Sequence, residues 1–285
     1  IYIHGLILSG NLNGDDIKMI RRITTLRYLD LAEANIVKGG AAYYDSFQTG
    51  ECYTEDNVVG ANMFRELNHL QTCILPRSAT AIGANAFYEC RYLENVQLFE
   101  NIVEIGAGAF HNCLQLAEIT IPKGVTSIAG VTFYGCRGLT RVTIPEGVTS
   151  IGNSAFCRCS NLETITIPKS VAVIDRYAFD RCYKLSEVIL QEGLSRIESQ
   201  AFIDCYSLKW LSLPSSITYL GTNLFFNFNT NAIKSALREL WCYAPVAPET
   251  RSSLGTDYEC TLFIPKGSTG YTGEPWDSFR EIVEF

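Results

Sequence analysis

One residue spacing governs most of this sequence: phenylalanine recurs every 23 residues. Six of these phenylalanines are followed three residues later by cysteine, and each cysteine three residues later by leucine. The phenylalanines are Phe64, Phe87, Phe110, Phe133, Phe156, Phe179, Phe202 and Phe225, and the cysteines are Cys90, Cys113, Cys136, Cys159, Cys182 and Cys205. Self-similarity at a fixed period of this length predicts a solenoid, in which each repeat forms one coil that stacks on the next.

The apolar periodicity changes partway through each unit. Phe87, Cys90 and Leu93 have the spacing of one helical face, whereas Val96 and Leu98 alternate as residues of a strand do. Each coil is therefore predicted to contain a short helical turn and a strand. Stacked coils would pair these strands into one parallel sheet on one face, with a rise of about 4.8 Å per coil. The fold class predicted is an α/β solenoid of about ten coils.

The same register extends towards the N-terminus. Leu6 and Leu8 lie 23 residues before Leu29 and Leu31, so the opening segment is predicted to be part of the solenoid. The next interval exceeds one period by 21 residues, which indicates a loop insertion at 38–60.

We expect a single domain over 1–285, because a solenoid grows coil by coil around one continuous core. Its parts would be N-terminal coils with the insertion (1–63), regular 23-residue repeats (64–226), and irregular C-terminal coils with a cap (227–285). Terminal repeats differ because they cover the open end of the core. Trp276, Phe279 and Ile282 on a last amphipathic segment are expected to provide that cover.

Charge and composition exclude several kinds of partner. The net charge is −7 and no run of Lys or Arg occurs, which argues against nucleic acid, whose phosphates require a basic face. No stretch approaches the roughly 20 apolar residues of a membrane-spanning helix. The sequence opens on Ile1 within an apolar pattern, so we expect that a signal, a lipid anchor or an upstream domain has been removed.

The repeat unit, I-G-x-x-A-F-x-x-C-x-x-L-x-x-I-x-I-P, closely resembles the BspA-like leucine-rich repeats of bacterial surface proteins over roughly residues 60 to 225. The closing stretches TLFIPKGS and WDSFREIVEF also look like members of that group. The resemblance implies a leucine-rich-repeat fold and a location outside the cell or on its outer surface. It also implies an adhesive or host-interaction role, and it transfers no catalytic residues to this chain.

Eleven cysteines would ordinarily suggest disulfides in a secreted protein, yet six of them share one slot of the repeat. Cysteines stacked in register have parallel Cβ vectors, which are too far apart for good disulfide geometry. We predict that these six are buried thiols that pack as small hydrophobic side chains. The sequence does not exclude a single disulfide among the other five cysteines.

No set of residues in the sequence predicts an enzyme. His111 lies near Cys113, but its slot holds unrelated residues in other coils, so a catalytic pair is not expected. Asn11, Asn13 and Asp15 have the first spacings of a calcium loop, but the glycine and the closing glutamate are missing. We therefore expect neither a metal nor a cofactor.

The outward slots of the strands vary, and variable slots on a fixed scaffold are where recognition is expected. Two tryptophans occupy such slots near the C-terminal end, and exposed tryptophan is frequent among interface anchors. Cover by the C-terminal cap is the alternative explanation for these two side chains. The candidate ligand-binding residues are Trp210, Trp241, Tyr243, Arg141, Glu187 and Glu239.

The function predicted is a non-enzymatic, adhesin-like module, acting as a monomer, that binds an extracellular protein of the host or its matrix. One alternative is glycan binding, with exposed tryptophan and tyrosine as stacking platforms, including Tyr43, Tyr44 and Tyr53 of the insertion. Another is a structural spacer that displays a further domain. The residues alone do not choose among the three.

Overall fold

The computed structural model describes residues 3–47, 50–228, 235–256 and 258–285. In this part of the chain there are one α-helix, α1 (Gly14–Arg21), and one 3₁₀ turn (Trp276–Ser278). The strands, in chain order, are β1 (Gly5–Leu12), β2 (Tyr28–Ile36), β3 (Gly39–Ser46), β4 (Gly50–Thr54), β5 (Val58–Val59), β6 (Thr72–Ile74), β7 (Ala81–Ile82), β8 (Asn95–Gln97), β9 (Glu104–Ile105), β10 (Glu118–Thr120), β11 (Arg141–Thr143), β12 (Ser150–Ile151), β13 (Thr164–Ile167), β14 (Val173–Ile174), β15 (Glu187–Leu190), β16 (Arg196–Ile197), β17 (Trp210–Leu213), β18 (Tyr219–Leu220), β19 (Glu239–Cys242), β20 (Glu249–Thr250), β21 (Thr261–Ile264) and β22 (Glu281–Glu284).

Twelve of these strands form the principal face of the solenoid, in the order β1-β2-β6-β8, β10-β11, β13-β15 and β17-β19-β21-β22. Neighbouring strands are parallel, and in the regular coils the register advances by one repeat, so that Ile165 pairs with Val188. We call the solvent side of these strands the strand face. The described chain thus forms twelve coils, slightly more than the ten expected, and β22 at the C-terminus forms the last of them.

A second ladder of two-residue strands runs along the solenoid as β5-β7-β9 and β12-β14-β16-β18-β20. Ile151 pairs with Ile174 and Ile174 with Ile197, again one repeat apart. These isoleucines are the last apolar slot of the unit, and all three are fully buried. The two ladders therefore enclose one apolar interior.

The segment between the two ladders was expected to be a short helical turn, and it is a series of hydrogen-bonded turns that does not extend to an α-helix. Two residues per coil, such as Asn85 (φ 55°) and Glu89 (φ 57°), adopt the left-handed conformation, which interrupts a right-handed helix. Backbone amides then bond to the next coil, and the Phe87 N–H donates to the Ala109 carbonyl at 2.7 Å. Other amides, such as that of Cys90, which donates to the Phe87 carbonyl at 3.1 Å, close turns within their own coil.

The repeated phenylalanines form a continuous stack inside the coils. The rings of Phe133 and Phe156, for example, are fully buried and nearly parallel, with centroids 5.3 Å apart. This separation exceeds the coil rise of about 4.8 Å, so the rings are offset, the arrangement that aromatic quadrupoles favour. The stack explains why each coil keeps phenylalanine in this slot.

The repeated cysteines line the same interior as reduced thiols, as expected. The thiol of Cys136 donates to the Phe110 carbonyl at 3.0 Å, and Cys159 makes the same contact with Phe133 at 3.2 Å. All eleven cysteines of the chain are present as thiols. The small sulfur side chain thus fills space and satisfies a carbonyl that faces the apolar core.

The N-terminal insertion is a β-hairpin that covers the first coils. Helix α1 begins after Asn13, whose side chain accepts the Asp15 amide at 2.9 Å. The Asp16 carboxylate in turn accepts the Asn13 amide at 2.9 Å, so Asn13 and Asp16 form the helix cap. Strands β3 and β4 pair in antiparallel fashion next to this helix. Tyr43 of the hairpin is buried, and its hydroxyl donates to the Ala61 carbonyl at 2.8 Å. The hairpin therefore covers the solenoid.

At the other end, Trp276 and Phe279 are buried and stack on one another, as expected of a cap. Ile282 was expected in the same cover, and this was wrong: it lies in β22 and is 38% exposed. Ile282 pairs with the buried Leu262 in the core-facing column, and it stays partly exposed because β22 is the last strand of its sheet.

Candidate binding surface on the strand face

The strand pairing places the candidate residues in two outward columns. In the first column, Trp210 lies opposite Glu239. In the second, Ser212 lies opposite Trp241, and Trp241 opposite Phe263. The two tryptophans are thus diagonal neighbours, one coil apart and in adjacent columns. The columns read from the 23-residue register coincide with those of the strand ladder.

Trp241 is held in place by its neighbours. Its ring stacks on Phe263 with centroids 4.0 Å apart and an interplanar angle of 6°. Phe285, at the end of the chain, lies 5.3 Å away on a tilt, and the indole Nε1 donates to Glu239 Oε2 at 3.0 Å. Trp241 is therefore partly covered by the C-terminal strands, so that one face and one edge are already in use.

Trp210 and Tyr243 are more open. Each is 43% exposed, and Tyr243 packs edge-on against Phe285, which is 47% exposed. A contiguous group of exposed apolar side chains is typical of interaction surfaces. We use the name aromatic patch for these exposed rings together with the stacked pair next to them: Trp210, Trp241, Tyr243, Phe263 and Phe285.

Carboxylates flank the exposed tryptophan along its own column. Glu187 occupies the preceding coil, Glu239 the following one, and both are exposed. Two coils beyond Glu239 the column holds Glu281, whose side chain accepts from Thr261. The edge of the aromatic patch is consequently acidic.

Arg141 lies apart from this group. It is three coils before Trp210 on the same column, a separation of about 14 Å at the usual strand spacing. There it lines a shallow groove of about 390 Å³ on the middle of the strand face, together with polar residues such as Gln97, Glu118 and Thr143. The structure thus brings five of the six candidates together and leaves Arg141 in a separate polar region.

Sequence reasoning missed Phe263 and Phe285. Phe263 lies 22 residues after Trp241, so it falls out of the regular register although it pairs with Trp241 in the sheet. Phe285 reaches the patch only because β22 completes a coil against β21. Neither position could be assigned while the C-terminal coils were treated as irregular.

His111 and Cys113 do not form a reactive pair. The imidazole is sandwiched between Tyr88 and Tyr134, at centroid distances of 4.5 and 4.7 Å, and burial lowers the pKa of His111. The Cys113 thiol points into the core, where burial raises its pKa well above the ordinary value and its donor contacts the Phe87 carbonyl. Both side chains therefore serve packing.

The described ranges show no group of three or more His, Cys, Asp or Glu side chains arranged to hold a metal. Nor do they include a helix with the length and apolar character needed to cross a membrane. The stacked parallel coils, the phenylalanine and cysteine ladders and the variable strand face define a leucine-rich-repeat solenoid.

Comparison with known proteins places the chain within that class. The BspA type leucine rich repeat region matches residues 57–186 and 126–237, with six copies of the repeat. The match covers more than half of the chain, which therefore belongs to the family of BspA-type leucine-rich-repeat proteins. No curated protein matches the chain.

Two solved structures with TM-scores above 0.5 share the fold, and a third protein shows a weaker similarity. A leucine-rich repeat protein from Bacteroides ovatus has a TM-score of 0.58 and 22% identity over 83% of this chain and 67% of its own. The leucine rich repeat protein of T. pallidum has a TM-score of 0.51 and 31% identity over 53% of this chain and 71% of its own. A leucine rich cell surface protein from Faecalibacterium prausnitzii has a TM-score of 0.42 and 22% identity, covering 83% and 85% of the two chains.

Proposed function

We propose that this chain is a non-enzymatic, adhesin-like module that acts outside the cell, as a monomer, and binds an extracellular protein through the aromatic patch. The carrying observation is the contrast along the strand face. Its middle coils present small polar side chains such as Thr120, Thr143 and Thr166, whereas its C-terminal coils present exposed rings. Exposed aromatic anchors with a polar rim are typical of protein interfaces.

Family membership supports a binding or structural role, because repeat solenoids offer an extended surface rather than a closed active site. The charges around the patch favour a particular kind of partner. Glu187 and Glu239 flank Trp210 on its column, so the complementary surface carries apolar and basic side chains. Such a complex would weaken as salt screens its charged rim.

The insertion is less suited to the alternative of glycan stacking. Of its three tyrosines, Tyr43 is buried under the hairpin, and Tyr44 is half-buried beneath the Arg21 guanidinium at 4.9 Å. Only Tyr53, at 53% exposed, presents an open ring. The aromatic patch offers the larger platform and is the place to test first.

The test is binding of the folded chain to a panel of purified extracellular-matrix proteins, measured by interferometry at low and high salt. Trp210→Ala should weaken the positive interaction by about 2 kcal/mol or more, with the melting temperature nearly unchanged. Thr143→Ala on the middle of the same face is the matched control and should bind like the parent chain. Equal binding by both variants would remove the patch as the site, and no binding to any panel member would favour a spacer role.

A further inference from the structure

A second surface feature lies away from the strand face, among the turns that surround the cysteine slot. Three consecutive coils form a pocket there with a volume of about 370 Å³, within the range of small-molecule sites. We call it the arginine pocket. Its lining residues are Arg137, Arg158, Ser160, Arg181 and Tyr183.

The repeat register explains why a pocket forms at this place. The position after the cysteine holds Arg137, Ser160 and Tyr183 in successive coils, so a short side chain sits between two long ones. The position before the cysteine holds Arg158 and Arg181 in the second and third of these coils. The depression over Ser160 is therefore bordered by guanidinium groups from two columns.

Charge is concentrated here in a chain whose net charge is −7. The same two positions of an earlier coil hold Glu89 and Arg91, which form an ion pair at 2.6 Å and neutralise one another. In contrast, among the described residues no carboxylate lies within salt-bridge distance of Arg137 or Arg158. Neither Arg137 nor Arg158 is therefore held in an ion pair, although Asp180 is close enough to Arg158 to interact with it electrostatically.

The third guanidinium, that of Arg181, is held through its Nε atom. Its Nε lies 3.8 Å from Asp180 Oδ1 and 3.5 Å from Asp204 Oδ2. Both contacts use Nε, so they position the group and leave its two terminal amino groups for a ligand. Burial raises the pKa of Asp180, and the neighbouring Arg181 opposes that shift.

Asp204 organises the wall of the pocket from beneath, since only 2% of it is exposed. Besides Arg181, it accepts the Tyr206 hydroxyl at 3.1 Å and the Phe228 amide at 2.8 Å. The Tyr206 ring stacks on Tyr183 at 5.2 Å with an interplanar angle of 4°. One buried carboxylate therefore fixes a guanidinium of the pocket and, through Tyr206, its aromatic wall.

Arg158 is also oriented by an aromatic ring, that of Tyr134, whose centroid lies 5.6 Å from its guanidinium carbon. Planar guanidinium groups recognise sulfate and carboxylate oxygens in pairs. The partly exposed face of Tyr183 beside them suits the apolar face of a sugar ring, which an inorganic anion does not have. We propose that the arginine pocket binds an acidic saccharide, a sugar that carries sulfate or carboxylate groups.

The substitutions that test this are already tolerated by the repeat. Arg158 has a left-handed backbone (φ 62°), and Asn112 occupies the same slot with φ 58°, so Arg158→Asn removes the charge without backbone strain. Arg137→Ser introduces the residue present at Ser160 in the next coil. Arg91→Ser makes the same change at an arginine already paired with Glu89 and is the matched control.

Calorimetry in dilute buffer would compare three probes: a heparin hexasaccharide, the same hexasaccharide without sulfate, and inorganic sulfate. We expect the sulfated sugar to bind more tightly than inorganic sulfate. Arg158→Asn and Arg137→Ser should each weaken it about tenfold, and Arg91→Ser less than twofold. Binding of the desulfated sugar would show that carboxylates suffice, whereas its failure would assign recognition to sulfate.

Three results would overturn the proposal: no binding of either sugar, inorganic sulfate binding as tightly as the hexasaccharide, or equal losses in Arg91→Ser and Arg158→Asn. Thermal melts of every variant guard against a loss caused by unfolding. Tyr183→Ala supplies an independent readout. It should weaken the sugar and leave the affinity for inorganic sulfate unchanged, and Tyr183→Phe should restore sugar binding because it retains the ring.

Discussion

The interior and the strand face of the same coils follow opposite rules. Inside, Phe133 and Phe156 are identical residues with rings 5.3 Å apart, because each must fit the copy above and below it. Outside, successive coils place Arg141, Thr164 and Glu187 in one column with no shared chemistry. Packing constrains a slot only where a side chain contacts its own copies, and the solvent-facing slots are free to carry recognition.

The largest expected effect comes from the six cysteines that repeat in one interior slot. Burial raises the pKa of Cys90 and of Cys136 to about 12, and the other ladder thiols are raised as well. Since the folded pKa lies above the unfolded value near 9, this stabilisation is complete below about pH 9 and is lost as the pH rises towards the folded pKa.

Each thiol then contributes a loss of about 1.4 kcal/mol per pH unit above its unfolded pKa, and the six losses act in the same direction. Urea melts between pH 8 and 10.5 should show a steep fall in stability, and thiol reagents should label the ladder only after unfolding. A stability that stays flat across this range, or rapid labelling of the native protein, would contradict the buried ladder.

Cutting one ring out of the phenylalanine stack tests the interior directly. Phe156→Ala should cost about 3–5 kcal/mol, because it opens a cavity between two neighbouring rings that stay in place. Thr143→Ala, in an outward slot of the adjacent coil, should change stability by less than about 0.5 kcal/mol. Chemical melts that gave the two variants similar stabilities would show that the assigned register is wrong.

The two tryptophans of the strand face should differ in their contribution to stability, because one packs against its neighbours and the other is exposed. Trp241 stacks on Phe263 and bonds to Glu239, so Trp241→Ala is expected to lower stability by about 2 kcal/mol. Trp210 is 43% exposed, and its replacement by Ala should cost less than about 1 kcal/mol. If Trp210→Ala is more destabilising than Trp241→Ala in thermal melts, Trp241 is not the tryptophan that the C-terminal strands cover.

The smallest expected effect concerns a left-handed turn position that holds an unfavourable residue type in one coil. Val131 has φ 52°, in a slot that holds Asn85, Ser154 and Asn223 in other coils. A β-branched residue is strained in the left-handed region, which asparagine tolerates well. Val131→Asn should therefore raise stability by about 1 kcal/mol. An unchanged or lower melting temperature would mean that contacts of the Val131 side chain outweigh the strain.

The sequence predicted what depends on one coil repeating the next. The 23-residue register was enough to assign the buried slots, the outward columns and the insertion. It could not assign the conformation of the turns, because amides such as that of Phe87 choose between their own coil and the next one.

The sites were harder to predict because they depend on neighbours across coils. Trp241 meets Phe263 outside the regular spacing, and the arginine pocket needs the short Ser160 beside guanidinium groups from adjoining coils. The sequence assigns each residue to a column of the solenoid, but it does not show which columns lie close together in space.

Hydroxyl-radical footprinting of the chain, alone and bound to a matrix protein from the binding panel, tests directly whether recognition lies on the strand face. Oxidation of Trp210 and Tyr243 should fall several-fold in the complex, because both are exposed in the unbound chain. Oxidation of Tyr92, 55% exposed among the turns, should stay the same. Unchanged oxidation of Trp210 and Tyr243 together with protection of Tyr92 would contradict this assignment and move the interface to the turns.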